Sequence, residues 1–110
     1  MNITNKTYLA NAFSLQMLDL SGATTVDIVP VTKEEVAASG FESVVGHLDT
    51  ANVLTTLLGV EVQQQRVSVR LESPEDVLYV AQVTGGRLPE GATTLPAGIE
   101  LKFLKVSLRG

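Results

Sequence analysis

The sequence contains one histidine, His47, in the stretch Val44-Val45-Gly46-His47-Leu48-Asp49-Thr50, where an apolar run gives way to a helix-like one. Imidazole gives or takes a proton near neutral pH, so a histidine at a strand end can act as general acid or base. A half-buried side chain bonded to nearby backbone fits the same position. A following helix N-terminus also opposes the protonated form unless an anion arrives to offset it. Taken alone, the position favours the plain account over a catalytic one.

A second candidate is Gly85-Gly86-Arg87-Leu88-Pro89-Glu90-Gly91, which sets an arginine and a glutamate three apart in a loop stiffened by Pro89 and loosened by glycines. Such loops hold ligands, but glycines that supply positive φ and charges that keep a connection in water explain the composition equally simply. Arg66 likewise reads as an anion contact or as an exposed strand residue in a surface ion pair. The sequence has no P-loop, His-x-x-x-His pair, Cys-x-x-Cys or serine nucleophile elbow. A metal site would have to use carboxylates, and Glu34-Glu35 and the run from Glu72 to Asp76 read as solvated surface beside turns. No metal and no cofactor is expected.

A chain of 110 residues is most naturally one domain spanning 1–110, and it buries on the order of 65% of the surface exposed when unfolded. Two tyrosines, three phenylalanines and no tryptophan imply an aliphatic core. Without cysteine there are no disulfides and no thiolate chemistry, and the cytoplasm is the default setting. The N-terminus has no export-signal pattern and no apolar run reaches membrane-spanning length, so no membrane association is expected. A net charge of −4 opposes binding to long DNA or RNA, which relies on many Lys and Arg. A small anion needs only a few donors, such as Arg66, Arg87 or a helix start.

Several elements must position these residues. Thr7–Ala10 reads as a first strand, followed by a helical turn over Ser14–Leu18 with Asn11 or Ser14 as cap. Thr24–Val31 reads as a second strand ended by Pro30 or shortly after it, Lys33–Ala38 as a helical turn, and Phe41–Val45 as a third strand. Asp49 or Thr50 then caps a helix with Val53, Leu54, Leu57 and Leu58 in one stripe and Gly59 just past its end. The clean alternation of Gln65–Leu71 marks the clearest strand, and Val77–Val83 reads as a buried one. Ile99–Leu108 alternates with a slip at Phe103-Leu104 that suggests a β-bulge. The expected fold is α+β: a mainly β sheet of about five strands, with one clear and one short helix packed on it.

Three segments together resemble a known family: Leu9-Ala10-Asn11-Ala12-Phe13-Ser14, Gly46-His47-Leu48-Asp49-Thr50-Ala51-Asn52 and Arg87-Leu88-Pro89-Glu90-Gly91. In type and order they resemble the small ring nucleases found as viral anti-CRISPR proteins and as cellular regulators of type III CRISPR systems. The resemblance covers most of the chain. It implies a symmetric homodimer that binds cyclic tetra-adenylate and cuts it without metal into linear di-adenylates, in the cytoplasm of a host cell whether the gene is viral or cellular. The substrate's 2′-hydroxyl is then the nucleophile, His47 the general acid for the departing 5′-oxygen, and a 2′,3′-cyclic phosphate the product end. A two-fold dimer sets two His47 copies against opposite phosphodiesters.

Carried over residue by residue, the resemblance gives Asn11 and Ser14 hydrogen bonds to ribose or phosphate. Arg66 and Arg87 contact phosphates, with Arg87 also stabilising charge at the cleaved phosphate. Gln82, Glu90 and Thr50 complete the ligand-binding set. Asp49 departs from the pattern, standing where a serine is expected. A carboxylate there either caps the helix and repels a nearby phosphate, or stabilises a protonated neighbour; both readings stay open at this point. Two other functions compete: a binder that holds a cyclic nucleotide without cutting it, and a small structural module whose Arg87 loop meets a protein.

Overall fold

The computed structural model describes residues 6–18 and 20–109. Along the chain come β1 (Thr7–Ala10), a 3-10 turn (Leu15–Met17), β2 (Val26–Val31), α1 (Lys33–Ala38), β3 (Glu42–Ser43), α2 (Leu48–Leu58), β4 (Val77–Thr84) and β5 (Glu100–Leu108). The strands form one mixed sheet in the order β2-β5-β4-β1-β3. β1 runs parallel to β3 and to β4, while β5 runs antiparallel to β4 and to β2. This is the expected α+β architecture, with one long helix and one short helix. Among the described residues, no helix is long and apolar enough to cross a membrane.

Side chains alternate across a strand, so each strand feeds two cores. On one face Leu9, Tyr79, Ala81 and Phe103 pack with Val36 of α1 and with Ala51, Leu54 and Leu58 of α2. On the other, Tyr8, Ala10, Leu78, Val80 and Val106 pack with Leu18, Val44 and Leu71. Each helix follows from its sequence. Thr32 caps α1 by accepting a bond from Glu35 N at 3.2 Å. The stripe of Val53, Leu54 and Leu58 is buried, and Gly59 ends α2 in the left-handed conformation at φ 71°. Pro30 sits in β2, an edge strand, where its missing N–H can face outward.

Four expectations need correction. Gln65–Leu71 is not a strand: among the described residues it and the adjoining Gln64 meet extended chain only through isolated parallel bridges, Val45 to Gln64 and Leu18 to Leu71, and Val67 is 52% exposed. Alternation reports a face but not a partner, and the neighbouring edge strand β3 is only two residues long. Among the described residues, 66–70 ladder with no strand.

The second correction concerns β5, which has no bulge. Its register runs residue for residue from Thr84↔Glu100 to Leu78↔Val106, and likewise against β2. The slip at Phe103-Leu104 marks a change of buried face instead. Phe103 serves the helix side, while Leu104, Val106 and Leu108 serve the other.

Third, α2 starts before Asp49 and Thr50: its N-cap position is His47. Fourth, Asp76 is not solvated surface but 2% exposed. Its carboxylate accepts bonds from the N–H groups of Lys6 (3.1 Å), Glu72 (2.9 Å) and Ser73 (3.2 Å). Burial pushes this carboxyl up, but the three backbone donors outweigh that and hold it below the ordinary carboxylate value. Asp76 thereby ties the turn before β4 to the start of β1.

Candidate functional site

Because β1, β3 and β4 are parallel, their carboxyl ends lie along one edge of the sheet, the usual place for a ligand in parallel arrangements. Asn11 leaves β1 there, Gly46 and His47 lead from the β3 region into α2, and Gln82 lies near the end of β4. Together with the connection between β4 and β5, Asn11, His47 and Gln82 border a cavity of ≈ 850 Å³. Asn11, His47, Thr50, Gln82 and Arg87 line it, as do Asp49 and the apolar Ile28, Val80 and Leu104 from the sheet.

Ser14, Arg66 and Glu90 do not line this cavity. Ser14 is the cap of the 3-10 turn, accepting a bond from Gln16 N at 3.2 Å, which decides between Ser14 and Asn11 as the cap. Glu90 is exposed in the turn closed by Ala92 N donating to Pro89 O at 3.1 Å. Arg66 is tied to the peptide before His47: its Nε donates to Gly46 O at 3.2 Å.

The peptide before His47 is held from two sides. Gly46 N donates to Asn11 Oδ1 at 3.3 Å, and Gly46 O accepts from Gln64 Nε2 at 3.1 Å as well as from Arg66. Glycine suits this packing, since a Cβ at position 46 would stand 3.3 Å from Arg66 Cγ. Sequence reasoning missed Gln64. It is one of three consecutive glutamines, Gln63 to Gln65, and nothing in the sequence singles it out.

His47 has extended backbone (φ −117°, ψ 125°), and its exposed side chain makes no capping bond. The first intrahelical bond is Ala51 N to His47 O at 3.0 Å, so the start of α2 is uncapped by side chains and carries partial positive charge at the cavity wall. Asp49 neither caps the helix nor bonds to His47. Its Oδ1 accepts a bond at 3.1 Å from Gly91 N, across in the Arg87 loop. Among the described residues, no hydrogen bond or ion pair occupies the guanidinium of Arg87, and no group of three or more His, Cys, Asp or Glu converges to hold a metal. One imidazole, one unpaired cation, a helix start, amide and hydroxyl groups, and an apolar floor make a site suited to an anion with flat apolar parts.

The family model described as STIV B116-like matches residues 7–106. Among solved structures, the chain is similar to B116 of Sulfolobus turreted icosahedral virus, with a TM-score of 0.74 and 26% identity over 94% of this chain and 99% of that chain. No curated protein matches.

Proposed function

The chain belongs to the STIV B116-like family, and from that premise we propose that it is a ring nuclease, a metal-independent phosphodiesterase that cuts cyclic tetra-adenylate to linear di-adenylates and so switches off type III CRISPR signalling. The observation that carries this reading is the meeting of His47, Arg87, Asn11, Gln82 and Thr50 in one cavity. Asn11, His47 with Thr50, and Arg87 come from three separate motifs that resemble those of ring nucleases, Gln82 joins them from outside those motifs, and their grouping is what that chemistry requires.

In the proposed reaction the ribose 2′-oxygen attacks phosphorus in line, the P–O2′ bond forms and the P–O5′ bond breaks. His47 gives its proton to the departing 5′-oxygen, and the 2′-hydroxyl proton passes to solvent. Such an acid is worth roughly 10²–10⁴ in rate, and positioning of the hydroxyl supplies much of the rest. Arg87, free of protein partners among the described residues, neutralises charge at the phosphate, with the start of α2 as a second electropositive group. The apolar floor of Ile28, Val80 and Leu104 accepts base faces.

A cavity of ≈ 850 Å³ lies within the range of about 300–1,000 Å³ typical of small-molecule sites. A ring of four nucleotides is larger than a drug-sized ligand, and the proposal has a homodimer hold it, each protomer taking one half. The two-fold then presents opposite phosphodiesters to two His47 side chains.

The test is incubation of purified protein with cyclic tetra-adenylate in excess EDTA, with products resolved by chromatography. Conversion to di-adenylate that vanishes in His47→Ala supports the proposal. Tight binding of an uncut ring replaces it with a nucleotide-sequestering role, and absence of both binding and cleavage points to a structural module.

A further inference from the structure

The connection over residues 85–99 carries Arg87 and has few ties of its own. Its internal backbone bonds beyond the strand ends are two local turns, Ala92 N to Pro89 O at 3.1 Å and Ile99 N to Pro96 O at 3.2 Å. Gly85, Gly86, Gly91 and Gly98 all have positive φ, and residues 85 and 86 are exposed. Among the described residues, a single hydrogen bond joins this connection to the rest of the protein: Gly91 N to Asp49 Oδ1 at 3.1 Å. Asp49 lies in the first turn of α2, two residues after His47, and borders the same cavity as His47 and Arg87.

We propose that Asp49 is a positioning residue, which latches the Gly91 turn onto the start of α2 and so sets where Arg87 stands relative to His47. An acceptor on a helix is fixed in space as one on a loop is not. A carboxylate in the first turn is stabilised by the helix dipole, and its bond to an N–H is charge-assisted. The span from Arg87 to Gly91 is short and stiffened by Pro89, so holding Gly91 restricts Arg87. The arrangement also gives the carboxylate a donor of its own, which moderates its repulsion of an anion in the cavity.

The latch is testable without any ligand. Trypsin cuts after Arg87, and cleavage there requires the connection to leave the body. In Asp49→Ala this cut should come about tenfold faster, the loss expected for one charge-assisted bond at a partly exposed site. Asp49→Asn keeps an acceptor in the same place and should fall between Asp49→Ala and the native rate. Cutting after exposed Arg66 and Arg70 is the control. Acceleration confined to Arg87 supports the latch. An unchanged Arg87 rate, or equal acceleration at all three sites, overturns it, the latter because it marks general destabilisation.

A second arm rests on the ring-nuclease reading. Asp49→Ala and Arg87→Ala should each slow cleavage of cyclic tetra-adenylate, and the double variant should be little worse than Arg87→Ala alone. Additive losses overturn the coupling. If native protein cleaves nothing, the ring-nuclease reading fails while the trypsin result still decides the latch.

Discussion

The Nε of Arg66 lies 3.2 Å from the carbonyl oxygen of Gly46 and donates to it, so this arginine is engaged with the peptide that precedes the only histidine. Gln64 Nε2 shares that oxygen at 3.1 Å. Arg66 therefore has a positioning task beside the phosphate contact that the family resemblance implies. Among the described residues, its two terminal nitrogens make no hydrogen bond or ion pair.

Arg66→Ala should lower the single-turnover rate of cyclic tetra-adenylate cleavage about tenfold, and Gln64→Ala about threefold, each roughly the worth of one hydrogen bond. Because both donate to one oxygen, the double variant should fall short of the product of the two. Arg66→Lys keeps the charge but lacks the Nε–H, so it should recover affinity more than rate. An Arg66→Lys variant with native rate would show that the Gly46 contact is incidental.

His47→Ala should reduce cleavage by about 10²–10⁴, the usual worth of a general acid. A ring with sulfur in place of the bridging 5′-oxygen has a leaving group that needs no proton. On that substrate native protein and His47→Ala should cleave at similar rates, measured in one quench-flow series. An equal loss on both substrates would show that His47 binds or orients the ring without protonating the leaving group.

Elements whose local pattern carries their cause were legible in the sequence. β1 and α1 have the expected bounds, and the α2 stripe and its glycine stop come directly from residue spacing. Pairing was not legible. Gln65–Leu71 alternates as cleanly as any strand and still, among the described residues, pairs only through isolated contacts at its ends, and the slip in β5 reads as a bulge until two buried faces are known to exist. The site divides in the same way. Of the residues grouped by motif, Asn11, His47, Thr50 and Arg87 converge on the cavity while Ser14 and Glu90 do not, and Gln64 and the Asp49–Gly91 bond depend on contacts between segments 18 and 42 positions apart. No local pattern encodes such contacts.

Tyr79 donates from its hydroxyl to Glu35 Oε2 at 3.0 Å, linking β4 to α1. Burial and this carboxylate push the phenol up to about 12 from an ordinary 10.0. A group whose proton is held more tightly when folded adds stability below its unfolded value and loses it as pH rises through the folded one. Urea midpoints should therefore fall between about pH 10 and 12, and Tyr79→Phe should remove that part of the slope. At pH 7 the same variant should cost about 1 kcal/mol, the worth of the lost bond. A native and variant pair with parallel alkaline profiles would remove Tyr79 from the account.

Asp76 has the opposite sign. Its carboxyl is held below the ordinary 3.8 because three backbone N–H groups bond to its ionised form more than burial opposes it. A group depressed in the folded state adds stability above its unfolded value and loses it as pH falls through the folded one, so the loss should begin near pH 4 and grow below it. Asp76→Ala leaves those donors without an acceptor beside the junction of β1 and β4, which should cost about 2–4 kcal/mol at pH 7 by urea denaturation. Asp76→Asn retains one acceptor oxygen and should cost less, but its acid profile should lack the native slope below pH 4. If instead Asp76→Asn unfolds in acid in parallel with the native chain, other carboxylates govern that transition. The Asp76 clasp would then be a packing feature and not an electrostatic one.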